Sequence, residues 1–234
     1  MTTHDDLADR LAKVRVTIAR AAERSGRDAS AVRLVAVSKT IASEVVRQAV
    51  LAGVTDLGEN RIQEAQEKIP ALRDLTVRWH LIGHLQSNKV NKALPLFDVI
   101  QSVDSVELAT LLSRRAARRA VPLDILYEVN VGKEASKQGF TPEQFTAAVP
   151  TLALLPGLRA LGLMTVAPAV TNPDDARPIF RQLRVLRDHL AGSFGASFQD
   201  LSMGMSHDFA VAVEEGATIV RVGTAIFGRR DTAL

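Results

Sequence analysis

The chain has 234 residues, 47% of them hydrophobic and 24% charged, with a net charge of +3. That length buries a full core, as one α/β barrel or as two small domains, and the charge is too small to imply a nucleic-acid partner. There is no cysteine, which excludes disulfides, thiol catalysis and thiolate metal sites.

Residues 5–24 place Leu7, Leu11, Val14 and Ile18 at helical spacing and predict a leading amphipathic helix. Met1 to Asp9 carry acids and no apolar core, so this start does not read as a signal peptide. After it, short apolar runs alternate with helical patterns. Strands are predicted near 33–38, 55–58, 78–82, 98–101, 123–130, 160–165, 200–203 and 218–222. Helices are predicted near 42–52, 60–70, 86–95, 105–120, 141–149, 174–191, 207–215 and 224–228. Nearly continuous apolar strands in eight such units predict a parallel sheet covered by helices, and a closed barrel needs that number. The expected fold class is α/β: a single (β/α)8 TIM barrel with an extra N-terminal helix, one domain over residues 1–234. A doubly wound open sheet is the alternative, but no G-x-G-x-x-G follows an early strand.

Arg114, Arg115, Arg118 and Arg119 have the spacing of a solvated helix face. The most apolar stretch, Thr151 to Val170, is broken by Pro156, Arg159 and Pro168 and makes no comfortable membrane span. No membrane partner and a cytoplasmic location are the expectations. Pro168 to Pro173 is the clearest loop, placed after the sixth strand where it can cover a site.

Polar residues gather at the predicted strand ends, which converge on one mouth in a barrel. Lys39 ends the first strand, Gly58-Glu59-Asn60 the second, and His80, Gly83 and His84 surround the third. Gln101 and Ser102, Asn130, Met164 and Thr165, and Ser202 to Ser206 close the next four, and Arg221 lies on the eighth. A lysine on an inward-facing strand end is partly desolvated, which disfavours its ammonium. A neutral amine there can form a Schiff base with an aldehyde such as pyridoxal phosphate.

The far end of the chain adds two short strands, each followed by small or hydroxyl residues and a helix start. Ser206 is expected to cap one helix, with Asp208 in its first turn. Gly223 and Thr224 open the last one. Backbone N–H groups at such starts bind phosphate, and a barrel commonly places that site after its seventh and eighth strands.

Arg221 interrupts an apolar strand, so it needs a partner: a carboxylate, or the pyridine nitrogen of pyridoxal phosphate. Always protonated, it would leave that nitrogen unprotonated and weaken the ring as an electron sink. Glu59 reads as a salt-bridge or cap acid rather than a general base. Met203, Met205 and Tyr127 read as packing. The pair His80 and His84 has zinc-like spacing but spans a strand and a glycine, so no metal is expected.

Together these stretches resemble the pyridoxal phosphate homeostasis protein family. The matching segments are Val35 to Thr40, Gly58-Glu59-Asn60 with Gln63-Glu64, Trp79 to Lys89, Gln101 to Ser105, and Leu201 through Gly228. The resemblance implies the barrel of the alanine-racemase N-terminal domain. It matches Lys39 to the Schiff-base lysine, and Ser206, Gly223 and Thr224 to phosphate ligands. Arg221 matches the arginine at the pyridine nitrogen, and Asn60 a residue beside the cofactor. It implies a protein that binds, buffers or delivers pyridoxal phosphate, without established catalytic turnover; a monomer is expected, with amino acids and apo pyridoxal-phosphate enzymes as further partners. A racemase of this fold needs an added β-domain, which the sequence up to Leu234 is not expected to supply. The alternatives are a true pyridoxal-phosphate enzyme and a barrel enzyme acting on phosphorylated sugars.

Overall fold

A computed structural model describes residues 4–132, 134 and 138–228. Eight parallel strands close into a barrel in chain order. They are β1 (Arg33–Val37), β2 (Asp56–Glu59), β3 (Arg78–Leu81), β4 (Val99–Val103), β5 (Leu123–Glu128), β6 (Leu158–Met164), β7 (Asp200–Ser202) and β8 (Ile219–Val222). The helices are α1 (His4–Arg24), α2 (Ser43–Leu51), α3 (Ile62–Ala71), α4 (Val90–Ala93), α5 (Val106–Ala116), α6 (Pro142–Leu152), α7 (Arg177–Phe194), α8 (Phe209–Glu214) and α9 (Thr224–Phe227). The expected α/β barrel with its leading helix is therefore present.

Side chains alternate across each strand, and the alternation sorts the core into two parts. Val35, Val99, Leu126, Met164 and Ile219 pack together inside the barrel. Their strand neighbours Ala36, Ile100, Tyr127, Leu163 and Val220 join the larger core between barrel and helices. The same parity turns His80, Gln101, Glu128, Ser202 and Arg221 inward. Tyr127 faces outward, fully buried among Phe140, Phe145 and Phe194. Burial pushes its phenol well above the ordinary range, so it packs rather than ionises.

At the barrel's N-terminal rim the strand starts are zipped by charge. Arg33 reaches Asp56 and Asp200 at 3.7 and 3.9 Å, and Arg78 and Arg159 share Asp124. The helix starts follow local chemistry. Ser105 Oγ accepts from the Leu108 N–H at 3.2 Å, and Thr141 with Gln144 forms a capping box ahead of α6.

Two predicted helices depart from expectation in form, the first shortened and the second shifted toward the C-terminus by three residues. The segment 86–95 becomes a 3-10 turn, Ser87–Lys89, and the single turn α4. Pro95 stops it: Leu94 keeps helical angles, but proline has no N–H to donate to the Asn91 carbonyl, so the ladder ends there. The segment 174–191 begins as a 3-10 turn, Pro173–Ala176, and α7 starts with Pro178 in its first turn. α1 lies along α8 and α9, where Arg10 Nε donates to the Ile226 carbonyl at 2.6 Å and anchors the last helix. Among the described residues no helix is long and apolar enough to cross a membrane.

Candidate cofactor-binding site

Lys39 follows β1 by two residues and is half-buried. The turn that carries it is held from behind. Lys68 of α3 donates to the Ser38 carbonyl at 2.6 Å and to Glu59 Oε1 at 2.7 Å, while Ser38 Oγ donates to the same oxygen at 2.7 Å. The next residue, Thr40, has φ +64°, and its N–H donates to Glu64 Oε2 at 2.6 Å. A β-branched residue in the left-handed region is strained, so this turn is held by its surroundings. Glu59 is fully buried, which raises its carboxyl above the ordinary value against the pull of Lys68 and Ser38. Its role is thus the expected salt bridge. Lys68 was not singled out by the sequence; its signal is a lysine on the α3 face that meets the end of β2.

β8 neighbours β1, with Val35 opposite Arg221 and Ala36 opposite Val222. Continued upward, that register brings the Gly223 turn beside the end of β1. Gly223 precedes α9 and Thr224 begins it, as the sequence predicts. Thr224 is exposed. The N–H groups of Gly223 and Ala225 both donate to Ser206 Oγ, at 3.2 and 3.3 Å. The expected role of Ser206 as a helix cap is therefore wrong. α8 begins at Phe209 with Asp208 in the cap position. The Asp208 carboxylate instead accepts from the Met205 N–H at 2.6 Å, and the Ser206 hydroxyl is left to meet the turn after β8. Gly204 has φ +91°, and a Cβ there would stand 2.5 Å from that of Ala212, so this turn requires glycine.

Asn60 follows β2 and is half-buried. Its carbonyl lies where a Cβ on Gly83 would be, 2.3 Å away, so only glycine lets the β3 turn press against it. Asn130 is turned into its own loop, its Nδ2 donating to the Glu134 carbonyl at 2.8 Å. The two histidines diverge: His80 meets Asp56 inside the barrel, and His84 meets Asp104 at the surface. Met203 is fully buried, but Met205 is 39% exposed, contrary to the packing role expected for it.

Arg221 is buried in the barrel centre. Its NH1 donates to Ser202 Oγ at 2.7 Å and its NH2 to the Thr165 carbonyl at 2.8 Å. Among the described residues no carboxylate forms an ion pair with it. Burial lowers its guanidinium to about 10, with Glu128 and Asp208 opposing from a distance. It stays charged at neutral pH.

Sequence reasoning missed Glu128. It points inward from β5 and lines a cavity of about 160 Å³ with Ile82, His84 and Asn130. Burial pushes its carboxyl up to about 7; Asp104 adds to the rise and Arg221 opposes it. A raised folded value means the fold prefers the protonated acid. The stability it contributes is full below the unfolded value and is lost as pH rises through about 7. Glu128→Gln removes this dependence. The variant should gain on the parent protein between pH 4 and 8, by an amount on the order of 3 kcal/mol. Urea unfolding at both pH values measures it, and an unchanged difference would show that Glu128 titrates normally.

The site is thus a closed parallel barrel with a lysine after β1 and two N–H groups after β8 that converge on Ser206 Oγ. The alanine racemase N-terminal domain family matches residues 10–231. The pyridoxal phosphate homeostasis protein of Aquifex aeolicus is 46% identical over 222 residues, covering 95% of this chain and 97% of that protein. PipY of Synechococcus elongatus PCC7942, solved without PLP, is 38% identical with a TM-score of 0.86 over 95% of this chain and all of that one. Its structure with PLP bound superimposes with a TM-score of 0.83, at the same identity and coverage of both chains. The chain belongs to the pyridoxal phosphate homeostasis protein family.

Proposed function

We propose that this chain is one pyridoxal-phosphate-binding domain over residues 1–234, acting in intracellular pyridoxal phosphate homeostasis by buffering or delivery rather than turnover. The observation that supports this reading most is the adjacency of Lys39, after β1, to the Ser206–Gly223 contact beside the next strand, with Arg221 one step below. Donors fit an anion at one end, and an amine that can meet an aldehyde lies at the other. Bound pyridoxal phosphate supplies that aldehyde and an electron-withdrawing ring.

In this reading Lys39 Nζ condenses with the aldehyde as a Schiff base, with loss of one water. Ser206, Gly223 and Thr224 would hold the phosphate, with the Gly223 and Ala225 N–H groups turning to it from the Ser206 hydroxyl they meet here. Arg221 donates to the pyridine nitrogen and keeps a proton off it, and Asn60 flanks the ring. The reading extends to a cytoplasmic monomer that exchanges its cofactor with amino acids and apo pyridoxal-phosphate enzymes.

Ser206→Ala should weaken pyridoxal phosphate about ten- to a hundredfold, the loss of one charge-assisted hydrogen bond. Pyridoxal, which lacks the phosphate, should bind the variant and the parent alike. Equal weakening of both ligands would remove Ser206 from the phosphate site.

Racemisation needs an acid–base residue on each face of the substrate. Lys39 serves one face, and Tyr127 is packed outside the barrel. Spectral changes with amino acids are therefore expected without racemase, transaminase or decarboxylase turnover. Incubation with L-amino acids in deuterated water tests this. Multiple-turnover α-deuterium exchange that is abolished by Lys39→Ala would make the protein an enzyme.

A further inference from the structure

A single hydrogen-bond chain crosses the barrel interior beneath the site and ends on Arg221. Asp56 Oδ1 lies 2.8 Å from His80 Nε2, and His80 Nδ1 lies 2.9 Å from Gln101 Nε2. Ser202 Oγ lies 2.6 Å from Gln101 Oε1 and accepts from Arg221 NH1 at 2.7 Å. Gln101, His80 and Ser202 are all fully buried, so bulk water does not compete for the links among them.

The chain has one self-consistent direction. Arginine only donates, so the Ser202 hydroxyl takes that bond as acceptor and turns its own hydrogen to Gln101 Oε1. The amide nitrogen of Gln101 then faces His80 Nδ1, which accepts. His80 Nε2 carries the ring's hydrogen and gives it to Asp56. A reversed amide would require a hydrogen on Nδ1, which leaves Asp56 without its donor or makes the imidazole cationic. Burial disfavours the cation and holds His80 below its ordinary value, while Asp56 is held down by His80, Thr55 and Arg33. The carboxylate end of the chain is anchored at the rim by Arg33.

We infer that His80, Gln101 and Ser202 are positioning residues that fix the guanidinium of Arg221 against the ring nitrogen of a bound pyridoxal phosphate. Each bond in the chain strengthens the next acceptor, so Ser202 holds NH1 more firmly than an isolated hydroxyl would. With NH2 tied to the Thr165 carbonyl, the guanidinium plane is set by two fixed points. The inference rests on the proposed function, because it presumes that the cofactor's ring lies over Arg221.

The test compares pyridoxal phosphate with its 1-deaza analogue, in which the ring nitrogen is replaced by C–H. Equilibrium binding of both is measured on the full chain, on Ser202→Ala and on Gln101→Leu. The parent should prefer pyridoxal phosphate by about tenfold, the worth of one hydrogen bond to a charged donor. Both variants should lose that preference, with the deaza analogue bound as tightly as by the parent. Ser202→Ala removes only one oxygen, so the test survives if Gln101→Leu folds poorly. Equal weakening of both ligands, or an unchanged preference, would show that the chain merely supports the core. A parent protein that binds both ligands without preference overturns the inference alone. One that binds neither overturns the proposed function with it.

Discussion

A Lys39→Ala protein is expected to keep its fold and lose its covalent cofactor completely. The turn around Lys39 is secured through its backbone: the Ser38 carbonyl by Lys68 and the Thr40 N–H by Glu64. Neither bond uses the Lys39 side chain. Deleting that side chain removes the amine that would condense with the aldehyde, while the donors around Ser206 and Gly223 remain. The variant should still hold pyridoxal phosphate weakly, through its phosphate, with no visible absorption band of a lysine-linked chromophore. Circular dichroism melting should place its Tm close to that of the parent. A variant that retains the band would move the attachment to another lysine.

The second large effect is on stability. Lys68→Met strands Glu59, which is fully buried and bonded to Lys68 and Ser38 through one oxygen. Its other oxygen, Oε2, is buried without a hydrogen-bond partner. Removing one member of a buried pair costs about 3–5 kcal/mol, because the remaining charge is uncompensated. The loss should shrink as pH falls. Glu59 already sits above its ordinary value, and without Lys68 it takes up a proton more readily, which relieves the buried charge. Adding Glu59→Gln should recover most of the loss at neutral pH. Urea unfolding of the single and double variants measures this. Equal losses in both would show that Lys68 contributes packing rather than charge pairing. The same change frees the Ser38 carbonyl, so cofactor retention should fall with it.

The barrel was legible because most of its strands are short apolar runs, separated by helical patterns at regular intervals. Every predicted strand overlaps an observed one. The individual placements of Lys39, Asn60, Arg221 and Gly223 followed from strand ends, since a closed barrel brings those ends to one mouth. Ser206 was misread because two residues, Ser206 and Asp208, both satisfy the local rule for a cap. What decides between them is the turn after β8, seventeen positions away at Gly223, and no local pattern carries that contact. The chain from Asp56 to Arg221 was invisible for the same reason. His80, Gln101 and Ser202 stood out singly as polar residues near strand ends, but their links join β2, β3, β4, β7 and β8. Glu128 had a readable signal that went unused: it stands two residues beyond Leu126 on one strand, the same parity argument that makes Arg221 conspicuous. Helix 86–95 failed because a weak helical pattern ran into Pro95.

The central claim is that Lys39 carries pyridoxal phosphate as a Schiff base. Borohydride reduction of the cofactor-loaded parent protein, followed by peptide mass mapping, tests it most directly, because reduction converts the linkage into a stable amine. A pyridoxyl group is expected on Lys39, in the peptide that spans the end of β1. A pyridoxyl group on any other lysine, or none after incubation with the cofactor, would contradict it.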